Sequence, residues 1–566
     1  MNESPRRTAA AQAPPPRQEG FSAPSVEKDA SGRFAFFVGA GILLSRIVGL
    51  IRESVFAHYL GNSASAAAFK AAIRIPNVLQ NLFGEGVLSA SFIPVYAALV
   101  GRREREEADR VAGAVFAILF VLTSLMVAAG VVGSPLLIEL IAPGFHGEER
   151  ALTIRLVQIL FPGAGLLVMS AWCLGILNSH GRFFISYSAP VLWNAAQIAV
   201  LIGFGRALTQ PRLVEYVAYG MVAGSLLQFA VQLPPVLELL GRFRPVLSAA
   251  RASVRQVFRG FLPVVVGRGV VQISAWVDTA YASLISARAV AALSYAQTLA
   301  LLPVSLFGMA ISAAELPAMS QASGTAAEIA AELRARINQG LGRMAFFVVP
   351  SATALLVLGD VIAGALFQTG KFTFADTRYV WYLLMGSALG LLATTMGRLY
   401  ASTFYAMKDT RTPLYFAVIR VLLAAGLAYA SALKLPAMLG MPREVGAVGI
   451  TGTSAAAAWL ELFLLRRQAQ RRIGRTGVGA RKLGALWTCA LAAALVALGL
   501  KLFLARQLGA APAPTQWEGR ALAAPALPPV LTGILVLGTF GLLYFALCAL
   551  LRIPESEIVW RRAKRR

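Results

Sequence analysis

The chain has 566 residues, 57% of them hydrophobic and only 14% charged, with a mean hydropathy of +0.66. That composition excludes a soluble enzyme and defines a polytopic membrane protein. A formal net charge of +25 would point to nucleic acid, but the basic residues fall in short connections on alternate sides of apolar spans. This is the positive-inside pattern, and no nucleic-acid partner is needed to explain it.

Residues 1–32 are rich in Pro, Ala and Ser and have no apolar core. They read as a disordered cytoplasmic tail rather than a cleaved signal peptide. Beyond them about 14 stretches reach the roughly 20 apolar residues that a bilayer crossing takes. Their limits are 34–60, 66–100, 111–142, 152–178, 183–205, 213–240, 256–286, 289–320, 340–367, 377–406, 412–433, 445–465, 483–505 and 527–551. The fold class expected is an all-α polytopic membrane protein. Six spans fall in 33–240 (an N-lobe), six in 241–470 (a C-lobe), and two with a basic C-terminus in 471–566. With the N-terminus inside, Lys and Arg on the cytoplasmic side outnumber those opposite by roughly three to one, so both termini should be cytoplasmic. The strongest basic anchors are 101–110, 241–259 and 466–482. Orientation alone explains them, and the functional alternative is contact with anionic lipid.

Spans one and two carry charges where a membrane helix should not. The first contains Arg46, Arg52 and Glu53; the second contains Lys70, Arg74, Asn77, Gln80 and Glu85. An ionised side chain near the bilayer centre costs roughly 2.5–3.5 kcal/mol on insertion scales, so neighbouring ones need mutual pairing or a wet cavity. Arg46 and Glu53 lie about two helical turns apart, and Lys70, Arg74 and Asn77 follow an i, i+4, i+7 stripe. Arg52 lies about 120° round from Arg46 and faces another neighbour on ideal geometry. For Arg52 and Lys70 the alternative is that they snorkel to an interface. Gly39, Gly41 and Gly49 in span one, and Pro76 with Gly84–Gly86 in span two, mark either close helix packing or a bend.

The second half has its own buried charges: Arg268 and Asp278 in span seven, Glu315 near the inner end of span eight, and Arg398 and Arg420 near or within spans ten and eleven. Arg268 and Asp278 either pair for folding or face a cavity. The three cysteines (Cys173, Cys489, Cys548) and three histidines (His58, His146, His180) are scattered, with no metal-ligand spacing and no catalytic constellation. Neither a cofactor nor enzymatic chemistry is expected. Two stretches echo one another: NLFGEGVLSASFIP in span two and SLFGMAISAAELP in span eight. The polar turns after spans four and ten are also alike. Both offsets are six spans, which implies two pseudo-symmetric six-helix lobes plus two C-terminal helices, with a site at their interface.

The segments SRIVGLIRES (45–54), AAIRIPNVLQNLFGEGVLSASFIPVYA (71–97), IAPGF (141–145), ILNSHGRF (176–183), LFQTGKFT (366–373) and FYAMKDTRTP (404–413) resemble the MurJ (MviN) family of lipid II flippases, in the MATE-like exporter superfamily. The likeness runs in order from about residue 34 to 470. It implies two six-helix lobes, a tail groove formed with the last two helices, and translocation of undecaprenyl-linked peptidoglycan precursor to the outer leaflet of a bacterial inner membrane. Lipid II, membrane lipids and cell-wall synthesis proteins are the partners it implies. Arg46, Arg52, Glu53 and Arg74 match the family's charged positions, and Arg268 is placed opposite them as a substrate ligand. Lys70, Asn77, Gln80, Glu85, Asp278 and Glu315 are the supporting candidates. The chain departs from the pattern at Ala67, at Gln80 and in span eight, where Gln297, Thr298 and Leu301 replace charged residues. Rival expectations are a flippase for another polyprenyl-linked oligosaccharide, a MATE-type exporter, whose cavity should be more acidic, and a transport-inactive scaffold of cell-wall synthesis.

Overall fold

Long runs of Ala, Leu, Val and Phe can satisfy their backbone groups away from water only by closing hydrogen bonds within the segment, as helix. The computed structural model describes residues 28–241, 243–246, 252–507 and 527–557. Side chains are described throughout these except at 28–40, 42, 85–87, 90, 252–253, 256, 259–268, 270–271 and 507. The first lobe contains α1 (Lys28–Leu60), α2 (Ala64–Phe83), α3 (Glu85–Gly101), α4 (Arg105–Val132), α5 (Ser134–Ile141), α6 (Gly147–Ser179), α7 (Phe183–Phe204) and α8 (Gln210–Leu239). The second contains α9 (Ala252–Ile285), α10 (Ala287–Pro303), α11 (Ala310–Ser320), α12 (Ala326–Phe367), α13 (Phe374–Ala406), α14 (Arg411–Tyr429), α15 (Leu435–Met438) and α16 (Gly446–Ile473). A last pair, α17 (Ala480–Gln507) and α18 (Pro529–Leu550), packs together and against α12.

The packing repeats with the six-span offset. In the first lobe α6 is the hub, touching α2, α4 and α8, while α7 bridges α1 and α8. In the second, α13 is the hub, touching α10, α12 and α16, while α14 bridges α9 and α16. The two echoed Leu-Phe-Gly segments also interrupt regular helix in both lobes. At Gly84 the chain turns extended (φ −85°, ψ −153°) and separates α2 from α3; in the other lobe a π-helical turn at Val304–Met309 separates α10 from α11. Pro76 stays inside α2, so the break in span two belongs to the glycine. Gly41 serves packing instead, since a Cβ there would lie 2.8 Å from Tyr187 of α7.

Eleven described helical rods are long and apolar enough to cross a membrane. The other three expected spans, 34–60, 66–100 and 256–286, fall on α1, on α2 with α3, and on α9. Several helices start ahead of their expected spans, α12 and α1 among them. α12 begins at Ala326 because Thr325 and Glu328 form a reciprocal capping box. α1 begins at Lys28, inside the expected tail, because an established helix gains a bond per added residue. Residues 1–27 of that tail and the basic C-terminus beyond 557 lie outside the described residues.

The lobes meet tightly at one end, called distal here because α1 ends there. The Lys371 amide donates to the His58 carbonyl (2.8 Å), the Tyr295 hydroxyl to the Gly61 carbonyl (2.9 Å) and the Gly144 amide to Ser283 Oγ (3.1 Å). Gly61 and Gly370 both sit at positive φ (+61° and +57°), and a Cβ on Gly370 would lie 2.4 Å from the His58 carbonyl oxygen. Gly370→Ala therefore adds a clash to about 1–2 kcal/mol of left-handed strain, enough to open the seam roughly tenfold more often. The expected result is faster labelling of a Ser294→Cys thiol by an impermeant maleimide applied from the distal side; unchanged labelling would show that this seam is no gate. The three native cysteines are buried and give little background.

Candidate functional site

Below the distal seam a chamber opens between α1, α2 and α7 of one lobe and α10 of the other. It has two adjoining compartments of about 510 and 260 Å³ that share Arg52, Glu53, Thr298 and Leu301 as walls. Arg46 and Tyr187 line the larger one; Lys70, Arg74, Asn77, Gln197 and Gln297 line the smaller. Four cations (Arg46, Arg52, Lys70, Arg74) and one carboxylate (Glu53) face the same space, an excess of three positive charges.

Glu53 organises that charge. Its Oε1 accepts from Arg52 Nη2 (2.6 Å) and its Oε2 from Lys70 Nζ, across from α1 to α2. Glu53 is 7% exposed and Lys70 5%, so an uncompensated charge at either position is expensive. Aromatic faces supply the rest of the compensation. The Lys70 ammonium lies 4.5 Å from the Phe56 ring centre and 5.1 Å from that of Tyr295, and Arg52 stacks 5.0 Å over Trp193. Lys70 thus does not snorkel to an interface; it closes a triad whose outer wall, Tyr295, belongs to the opposite lobe. Arg52 and Arg46 share the larger compartment despite their angular offset.

Arg74 reaches across the lobes. Its Nη2 donates to Gln297 Oε1 on α10 (2.5 Å) and its Nη1 to the Ala275 carbonyl on α9 (3.3 Å). Arg46 is different: it is exposed to the chamber and forms no ion pair among the described residues.

The other candidates divide. Asn77 lines the chamber. Gln80 lies one turn further along α2, outside the lining, with its carbonyl capping the Gly84 break. Asp278 sits outside the lining too; it lies near Ser454 on α16 and within electrostatic reach of Arg74 and Arg420. Arg420 is itself paired with Glu461 (3.0 Å). Glu315 is buried at the other end of the second lobe, paired with Arg343 (3.3 Å) and Arg336 (4.0 Å), so it serves the α11–α12 packing and not the chamber. The side chains of Arg268 and Glu85 lie outside the described residues. Trp193, Gln197 and Tyr295 were not singled out from the sequence. They are neutral or aromatic, and no charge betrays them in an apolar span. Among the described residues no three His, Cys, Asp or Glu side chains gather as a metal site.

Two pseudo-symmetric helical lobes enclosing a polar chamber define a multi-pass membrane transporter. The family model for lipid II flippase MurJ matches residues 56–511, and the chain belongs to that family. A probable lipid II flippase MurJ of Rhizobium meliloti is 32% identical over 436 residues, covering 76% of this chain and 78% of that one. A lipid II flippase MurJ of Burkholderia cenocepacia is 30% identical over 383 residues, 66% of this chain and 73% of its own. Among solved structures, lipid II flippase MurJ in an inward closed conformation superposes with a TM-score of 0.70 at 22% identity, covering 91% of this chain and all of that one. An inward-facing multidrug resistance MATE family transporter of the MOP superfamily superposes with a TM-score of 0.60 at 18% identity, covering 75% and 95%. These superpositions carry the fold.

Proposed function

We propose that the chain is a lipid II flippase: it moves the undecaprenyl-pyrophosphate-linked peptidoglycan precursor from the inner to the outer leaflet of a bacterial cytoplasmic membrane. The observation that carries this reading is the excess of three positive charges in a chamber between two lobes. The family's name supplies the substrate, and the chemistry fits it, since guanidinium forks pair bidentately with phosphate oxygens and stay charged. The positive-inside bias favours cytoplasmic termini, which puts the distal seam outside and leaves the chamber to be approached from the cytoplasm.

On this reading Arg46 and Arg52 take the pyrophosphate, and Glu53 holds Arg52 and Lys70 in place while the chamber is empty. The polyprenyl tail stays in lipid beside α17 and α18. Rocking of the lobes at the distal seam then exposes the headgroup outside. The empty carrier bears net positive charge, so the membrane potential, worth about 2.3 kcal/mol per elementary charge per 100 mV, favours its return.

The test is a leaflet-accessibility assay for lipid-linked precursor in cells where this protein is the sole flippase. Outer-leaflet precursor and growth should both be restored. The neutral α10 wall (Gln297, Thr298, Leu301) is what favours a second reading, a carrier for another polyprenyl-linked oligosaccharide or a transport-inactive scaffold. Either of these would leave lipid II inside.

A further inference from the structure

The basic stretch 466–482 holds more order than orientation requires. It contains seven Lys and Arg, and no acidic residue lies between Glu461 and Glu518. Two of the seven are neutralised: Arg472 pairs with Asp409 (2.7 Å) and Lys482 with Glu555. The connection from α16 to α17, residues 474–479, turns on two glycines at positive φ, Gly474 (+86°) and Gly477 (+143°). It is tied to three helices. Thr476 is buried; its hydroxyl accepts from Tyr400 of α13 (3.1 Å), and its carbonyl accepts from Arg466 Nε (3.1 Å) and Gln470 Nε2 (3.0 Å) of α16. The Gly477 amide donates to Asn338 of α12 (2.9 Å).

The result is a cleft of about 420 Å³ walled by Arg466, Arg475 and the loop backbone, open to the surface. The Arg466 guanidinium is fixed through Nε, which leaves both Nη groups free to donate to something else. Membrane orientation needs only charge in a short loop and is indifferent to such fixing. A fixed fork does lower the ordering cost of binding a phosphate. The level of the cleft is marked by Trp459 and Phe463, 45% and 58% exposed on the preceding two turns of α16. Their apolar faces meet acyl chains, and Arg466 lies one turn on, roughly 4.5 Å along the axis, at headgroup depth.

We infer that this cleft binds the phosphodiester headgroup of an anionic phospholipid, with Arg466 and Arg475 as its phosphate ligands. The site is separate from the chamber, and its occupancy does not depend on which cargo the chamber carries. Phosphate chemistry is shared by a lipid headgroup and by the free ion, and the level of the cleft favours the lipid.

The test uses the full chain in neutral detergent, titrated with phosphatidylglycerol or phosphatidylcholine and read by native mass spectrometry. At about 1 kcal/mol per basic residue, Arg466→Gln with Arg475→Gln should weaken phosphatidylglycerol retention roughly ten- to thirtyfold, and Arg475→Gln alone roughly fivefold. Arg475 is exposed with no ion-pair partner among the described residues, so its variant keeps the fold. Arg102→Gln with Arg103→Gln removes the same charge from the same end of the molecule and should change retention by less than about twofold. Equal losses in the two double variants would mean diffuse attraction and overturn the site, as would undiminished retention in Arg475→Gln. Inorganic phosphate that binds alone with the same arginine dependence, and displaces the lipid, would reassign the cleft to the free ion.

Discussion

Glu53→Gln is expected to give a protein that melts earlier and no longer rescues a flippase-depleted strain. The carboxylate is the sole acid in contact with Lys70 among the described residues, and it also holds Arg52. Neutralising it leaves an ammonium 5% exposed between two aromatic rings, with the Arg52 guanidinium that shared the same carboxylate no longer offset. Removing one partner of a buried pair costs about 3–5 kcal/mol, of which ring contacts worth about 1–2 kcal/mol recover only part. The sign can be checked with a second substitution. Lys70→Met in the Glu53→Gln background removes the stranded cation, so thermal stability should return most of the way. Transport should not return, because Arg52 has still lost the group that aims it. Parental melting and flipping in Glu53→Gln alone would refute the organising role given to this carboxylate.

The chamber was legible in the sequence because intramembrane charge is costly enough to be rare. Arg46, Arg52, Glu53, Lys70 and Arg74 stand out against Ala, Leu and Val, and the structure brings all five to one space. The same signal misleads for Glu315, equally buried and equally charged, whose compensation comes from Arg343 and Arg336 on the next helix. In a sequence, an acid that is paired for packing and one that faces a cavity look alike. Only the fold tells how distant segments meet. Asp278 illustrates this again, since its neighbours lie on α2, α14 and α16.

The fold itself was more readable than the site. The Leu-Phe-Gly echo located one place in each lobe where regular helix fails, because glycine weakens helix in both copies. What the echo leaves open is the manner of failure: an extended break at Gly84 in one lobe, a π-helical turn in the other. Apart from Asn77, which shares the stripe of Lys70 and Arg74, the neutral lining residues carried no positive signal. Gln297 was notable only as an uncharged departure, yet it takes the Arg74 guanidinium across the interface. A side chain that gains its role from a partner 223 positions away carries no local pattern to read.

Arg46→Ala should separate transport from stability, which Glu53→Gln cannot do. Arg46 faces the larger compartment, is exposed, and makes no ion pair among the described residues, so its removal strands no partner. Melting should stay within about 0.5 kcal/mol of the parent, as for surface substitutions. Arg52 and Arg74 start from a different position: one is held by Glu53 and Trp193, the other by Gln297 and the Ala275 carbonyl. A phosphate entering the chamber therefore meets one guanidinium whose donors are free and two whose donors are partly engaged. The free one contributes most to capture. Losing a charge-assisted contact of about 1.5–3 kcal/mol lowers apparent affinity roughly ten- to hundredfold. Arg46→Lys keeps the charge but not the planar fork, so it should fall between the alanine variant and the parent. Precursor flipping measured against precursor concentration is the readout, and the deficit should shrink as the precursor approaches saturation. An Arg46→Ala protein that flips at the parental rate at every concentration would leave the positive excess of the chamber without a task.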